Sequence, residues 1–278
     1  MQVINNTPFP SIGWPSVDNN DKKYTTVLAR VKYLFDTLDK DGLWSLKLAP
    51  EQEDLFSADV FYDEKRKEVQ FESDFTPYKK QGDLIVNLSK NKSEYGTYGV
   101  EVQRYVNTEA NSAVMKKNLL KHMALNKLGF IHRADKERLQ YVGTADKKWI
   151  ETQAPKLPKD FNEKHYNAAH PELQLTQSYF EPGDVVLFHK YLPGQHQQAV
   201  MIPGVYLKAT THVGLEERSV LLKTDTVIFD IEKLDMKDNS IYMSYRHRIP
   251  LDKKVQKVTF NMMLEEHFIE KKPMKEGV

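Results

Sequence analysis

The sequence predicts a mainly β protein, either a barrel-like fold or a two-sheet sandwich of many short antiparallel strands. Three observations carry that expectation. Aromatic and β-branched segments recur along the chain. Several of them alternate with period two. Turn chemistry separates them, as at Pro182-Gly183, Pro193-Gly194 and Pro203-Gly204. Two exceptions are expected: one long helix at about 109–128 and a long Pro-rich loop at about 150–180.

The first strong strand signal is YTTVLARVKYLF, Tyr24–Phe35. Val27, Ala29, Val31 and Tyr33 share one face, with Leu28, Arg30 and Lys32 on the other, which predicts a half-buried strand. Asp-Lys-Asp-Gly then leads into LWSLKL, Leu43–Leu48, a hairpin signal. DVFYDEKRKEVQFE, Asp59–Glu72, reads as two short strands around a charged turn. LIVNL, YGVEVQRYV, LQYVG, DVVLFHKYL, AVMIPGVYLKAT, SVLLKTDTVIFDIE, IYMSYRHRI and VQKVTFNMML continue the series. Between them, NTEANSAVMKKNLLKHMALNKLG is rich in helix formers and has no proline. Leu120, Ala124 and Leu128 recur at i, i+4 and i+8, Thr108 suits an N-cap and Gly129 a C′ position. The predicted helix carries Lys116, Lys117, Lys121 and Lys127 on a solvated or basic docking face. No linker divides the chain, so 1–268 is expected to form a single β-rich domain, with 269–278 as a flexible C-terminal tail.

Composition narrows the function. The chain's 278 residues can bury about three quarters of their unfolded surface, so a core needs no staples. Lys+Arg number 40 and Asp+Glu 39, a balance that argues against a nucleic-acid partner. There are no cysteines, which excludes disulfides, thiolate nucleophiles and zinc ribbons. The first residues, MQVINNTPFPSIGW, have neither a basic nor an apolar signal region, and no apolar run approaches the ~18 residues of a membrane span. The expectation is a soluble cytoplasmic protein without a membrane partner.

PKLPKDFNEKHYNAAHPELQL, Pro155–Leu175, poses the main choice between a catalytic or metal site and an anchored loop. His165 and His170 lie five positions apart, with His189 and His196 further on. That spacing matches neither His-x-x-x-His on a helix nor alternation on a strand, and no metal site is expected. Asp160 with Glu163, and Glu216 with Glu217, are carboxylate pairs of the kind glycosidases use, but 39 acids make such pairs inevitable. His132-Arg133 and Arg246-His247-Arg248 bring basic residues together. Alternation turns Arg246 and Arg248 away from Tyr245 and His247, and Arg246 can pair with a carboxylate of TDTVIFDIE, such as Asp225 or Asp230, on a neighbouring strand as a structural ion pair. No phosphate-binding Gly-rich turn or nucleophile elbow occurs, so no catalytic, cofactor or metal residue is assigned. Anchoring explains more of the residue types. Asp160 can accept backbone N–H groups, Phe161 and Trp149 can bury their rings, and Asn162 and Asn167 can cap turns. Pro155, Pro158 and Pro171 lower the entropy lost on ordering.

The order of several blocks is similar to one bacterial family. They are NNTPF (Asn5–Phe9), SADVFYDE (Ser57–Glu64), SDFTPYKKQGDLIVN (Ser73–Asn87), LGFIHR (Leu128–Arg133) and GTADKKWIETQAPKLPKDFNEKHYNAAHPELQL (Gly143–Leu175), followed by EPGDVVL, the IPG turn, TDTVIFDIE and the Arg246 strand. The chain resembles the family catalogued as domain of unknown function 2169. Where that family carries a Gly/Pro-rich turn after Asn87, this sequence has LSKNKSEYGTYG. The resemblance implies a link with type VI secretion: a cytoplasmic adaptor or chaperone that binds an effector and helps load it onto the spike, the valine-glycine repeat protein or a tip protein. A non-enzymatic protein–protein role is therefore expected, with the contact surface unassigned. The rivals are a β-scaffold enzyme acting on cell-wall glycan and a small-ligand or carbohydrate-binding module.

Overall fold

The computed structural model describes residues 1–63, 65, 68–88, 99–107, 113–118, 128–145, 147–154, 156–176, 178–189, 197–231, 236–250 and 255–263. It is mainly β, with 51% strand and 10% helix. The tail at 269–278, His196 and the Pro193-Gly194 turn lie outside the described residues.

The spine of the fold is β3 (Lys23–Leu38), longer than the alternation alone predicted. Its residues 24–34 pair with the whole of β15 (Ser240–Pro250), the SYRHRI strand. Its other edge is shared. β2 (Ser11–Val17) pairs with residues 23–29, and β4 (Leu43–Leu48) folds back on residues 33–38. Gln52 fills the seam between them. Its amide oxygen accepts from the Lys32 N–H at 2.8 Å, and its amide nitrogen donates to the Lys32 and Ala49 carbonyls at 3.0 Å. The Asp39–Gly42 turn closes the predicted hairpin. Gly42 takes φ +81°, and Asp39 accepts the N–H groups of Asp41 and Leu43.

Around this spine runs a curled ten-stranded sheet. On one side β14 (Lys223–Ile231) follows β15, and β7 (Asp83–Leu88) follows β14. On the other side come β11 (Gln197–Met201), β10 (Val185–His189), β8 (Gly99–Asn107) and β9 (Ala113–Asn118). A second sheet orders β1 (Gln2–Asn5), β16 (Lys257–Met263), β12 (Tyr206–Val213) and β13 (Glu216–Leu221). β5 (Val60–Asp63) and β6 (Glu68–Phe71) form the small hairpin expected around a charged turn. One buried apolar cluster draws Val27, Tyr33, Phe229 and Tyr245 from the large sheet and Leu207, Val258 and Phe260 from the small one. Most pairings are antiparallel, as predicted, but β1–β16, β4–β11 and β7–β14 are parallel.

The predicted helix at about 109–128 is overturned where it is described. Residues 113–118 are β9, paired with β8 in register Asn107↔Ala113 to Val102↔Asn118. Edge pairing with β8 outweighs the helix propensity of the sequence, which is a weak prior. Lys116 and Lys117 fall in this strand, while Lys121 and Lys127 lie outside the described residues. Among the described residues the helices are α1 (Lys136–Leu139) and α2 (Lys147–Gln153), with short 3-10 turns elsewhere. Among the described residues no helix is long and apolar enough to cross a membrane.

Alternation also misplaces Arg30. It was expected on the polar face of a half-buried strand, but it is 2% exposed. The segment after β4 covers that face. Arg30 ion-pairs with Asp74, donates to the Asp54 carbonyl, and lies 3.9 Å from the centre of the Phe56 ring.

Candidate functional site

The SDFTPYKKQGD stretch supplies buried charge to the loop and to the pocket next to it. Asp74 holds Arg30 and accepts the Phe56 N–H at 2.8 Å. The Pro77 carbonyl accepts the Thr26 hydroxyl at 3.0 Å. Lys79 reaches Asp83 at 2.7 Å, and Asp83 is 0% exposed. Asp83 also accepts from the Asn167 side chain and the Ala168 N–H, both at 2.8 Å. Its buried charge is therefore compensated three times, as a buried carboxylate requires.

Through Asp83 the strand β7 holds the Pro-rich loop, and a second buried carboxylate holds it again. Glu72 accepts from Arg138 at 2.6 Å and Arg133 at 2.7 Å. Arg138 in turn donates to the His165 and Ile131 carbonyls. Burial alone would raise the Glu72 carboxyl, but Arg138, Arg133 and Lys79 outweigh it and hold it below the ordinary glutamate value.

The loop residues do the anchoring work the sequence assigned to them, with two changes. Phe161 is buried, edge-on to His165 at 5.6 Å, and Asn19 donates to its carbonyl at 3.0 Å. Asn162 caps the 3-10 turn Glu163–Tyr166, accepting from Lys164 N–H. Asp160 accepts a backbone N–H, as expected, but from Thr144 rather than within an Asx-turn of its own. It also accepts the Thr144 hydroxyl, and Gly143 beside it takes φ +61°, where a Cβ would stand 2.4 Å from an Asp160 oxygen. Those Thr144 hydrogen bonds lower the Asp160 carboxyl below its ordinary value. Trp149 is the second change. It was expected to be buried but is only half-buried, because α2 buries no residue; its indole N–H donates to the Lys156 carbonyl at 2.9 Å.

Truncating Phe161 to Ala is expected to cost about 3–5 kcal/mol, since the ring's packing is lost without collapse of the pinned loop. Thermal or urea unfolding checks this. A melting temperature within about two degrees of wild type contradicts the anchoring role.

Among the described side chains the histidines and carboxylate pairs do not converge. His165 Nδ1 lies 3.2 Å from the Arg138 carbonyl, and burial lowers its pKa. His170 Nδ1 accepts the Glu172 N–H and caps the 3-10 turn Pro171–Leu173. The backbone of His189 is in β10. Glu163 ion-pairs with Arg248 rather than facing Asp160. Glu217 contacts His212 Nδ1 at 2.8 Å, while Glu216 lies 4.0 Å from Arg218. Among the described residues no three His, Asp or Glu side chains group as a metal site would need.

What the loop, β3, β14 and β15 enclose is a pocket of about 260 Å³. Its floor is the predicted ion pair. Arg246 on β15 meets Asp225 on β14, both nearly sealed from solvent. Asp230, the other predicted partner, instead lies near the Tyr62 hydroxyl and the Asn87 amide. A register shift between Thr224 and Thr226 places Asp225 opposite no residue of β15 in the ladder. Arg246 also donates to the Asp74 carbonyl at 3.2 Å, but its Nε–H is buried and donates to no protein atom among the described residues.

The walls are tyrosines bearing cations. The Arg248 guanidinium lies over the rings of Tyr24 and Tyr78, at 4.3 and 4.2 Å. Lys223 sits over Tyr179 at 4.8 Å. Two of the hydroxyls are spent on the scaffold, Tyr179 donating to the Lys79 carbonyl and Tyr24 to Asp18. Burial, then the charge of Lys223, lowers the pKa of His247 on the rim, so its ring is neutral at physiological pH. Such a pocket offers N–H donors and positive charge to an acceptor group.

Residues 107–246 match the bacterial family described as "uncharacterized protein conserved in bacteria", domain of unknown function 2169. The match spans half the chain and takes in the pinned loop, Asp225 and Arg246; the protein belongs to that family. No curated protein and no solved structure matches the chain.

Proposed function

We propose that the protein is a binding adaptor rather than a catalyst. In this reading it holds an effector of a type VI secretion machine in the cytoplasm and hands it to the spike. The observation that carries a binding role is the Arg246 pocket. Its charged groups are fixed in ion pairs or laid on tyrosine rings, which suits recognition by a rigid, preorganised surface. The resemblance of the ordered sequence blocks supports the secretion context. An adaptor must also release its cargo, so the contact is expected to be of modest size and affinity.

The test is a clean deletion in the native bacterium, followed by comparison of secreted proteins. Loss of one effector from the medium, with the secretion machine itself still working and delivery restored by complementation, is the expected result. An unchanged set of secreted proteins contradicts the adaptor reading, as does hydrolysis of peptidoglycan by the purified protein.

A further inference from the structure

The charges around the Arg246 pocket are not evenly committed. Lys79 has Asp83, Arg246 has Asp225 and Arg248 has Glu163. Lys223 is exposed at the rim and has no carboxylate partner among the described residues; its ammonium rests on the Tyr179 ring. One positive charge is therefore available to a ligand. Arg246, which lines the same pocket, carries a buried Nε–H with no acceptor among the described residues, and such burial is unfavourable. A group with one negative charge and acceptor oxygens satisfies both. A dianion such as phosphate would bring a second negative charge against Asp225, which lines the same pocket. The volume, about 260 Å³, is just below the usual range for small-molecule sites and suits one side chain or one chain end.

We infer that this pocket takes a single carboxylate group presented by a partner polypeptide, with Lys223 and Arg246 as its donors. The chemistry of the ligand follows from the pocket; its source in a polypeptide rests on the adaptor reading. A carboxylate held by two cationic donors forms charge-assisted hydrogen bonds, the stronger kind.

The test follows the Arg246 Nε–H resonance in nitrogen-labelled full-length protein during titration with blocked single residues. N-acetylglutamate methylamide, which carries one side-chain carboxylate, is expected to shift it, as is N-acetylalanine with its free chain-end carboxylate. N-acetylglutamine methylamide is not. Lys223→Gln, an exposed substitution that leaves the buried pair intact, is expected to weaken the response about tenfold without changing the melting temperature. No shift with either carboxylate up to about 100 mM, or an unaltered response in Lys223→Gln, overturns the site. Tighter binding of inorganic phosphate than of the carboxylates overturns the single-charge assignment. Acetate binding as tightly as the blocked residues overturns the polypeptide source. Failure of the adaptor reading shows elsewhere, in an unchanged set of secreted proteins, and leaves the resonance shift in place.

Discussion

Replacing Asp225 with Ala is expected to destabilise the protein by about 3–5 kcal/mol, because it strands the buried guanidinium of Arg246. Arg246 is 5% exposed, and among the described residues its remaining hydrogen bond is to one carbonyl, of Asp74. Replacing both partners, Asp225→Leu with Arg246→Met, is expected to recover most of the loss, since the desolvation of two charges disappears together. Urea unfolding of the single and double variants measures the difference. If Asp225→Ala unfolds within about 1 kcal/mol of wild type, the pair does not hold the pocket floor. The double variant then serves a second purpose, as a folded protein whose pocket has lost the Arg246 donor.

That ion pair was legible in the sequence because a strand's alternation fixes which residues share a face, and TDTVIFDIE was an obvious neighbour for SYRHRI. The choice between Asp225 and Asp230 was not legible. It depends on the irregularity between Thr224 and Thr226, which leaves no mark on period-two patterning. Arg30 shows the other limit. Alternation tells faces apart but not whether a further layer covers one of them, and here Phe56 and Asp74 do. The segment around β9 failed for a third reason. AVMKKN has a helix former's composition, yet β8 offered an edge, and a hairpin partner close in sequence outweighs a fraction of a kcal/mol per residue. The loop's anchors were readable from residue types: Phe161 needed burial and Asn162 needed a turn to cap. The pocket itself was not. Its walls come from Tyr24, Tyr78, Tyr179 and Arg248, distant in sequence and each with an ordinary scaffold role when read alone. The one available signal was the density of charge in SDFTPYKKQGD, whose Asp74, Lys79 and Asp83 turn out to be buried together with their partners.

The second large effect concerns Glu72, which joins Arg133 and Arg138 and so holds α1 to the body of the protein. Glu72→Gln keeps the shape but removes the charge from between two guanidinium groups. A loss of about 3 kcal/mol is expected at neutral pH, together with faster proteolysis within residues 130–154. The sign with pH is fixed by the lowered carboxyl. Its contribution is fully present above the unfolded glutamate pKa, about 4.3, and is lost as pH falls through the lower folded value. The stability gap between wild type and Glu72→Gln should therefore be constant from neutral pH down to about 5 and close below about 4. A gap that does not narrow in acid contradicts the ionised state assigned to Glu72.

The most direct test of the pocket as a recognition site uses any protein that the deletion experiment proposed above finds lost from the medium. Its affinity for purified wild-type protein and for Lys223→Glu is measured by calorimetry, with melting temperatures recorded alongside. Charge reversal at an exposed rim residue is predicted to weaken binding tenfold or more, by about 1.4 kcal/mol at least, at an unchanged melting temperature, and the difference should shrink as salt is raised. Equal affinity of the two proteins at low salt would contradict it and place the contact elsewhere on the surface.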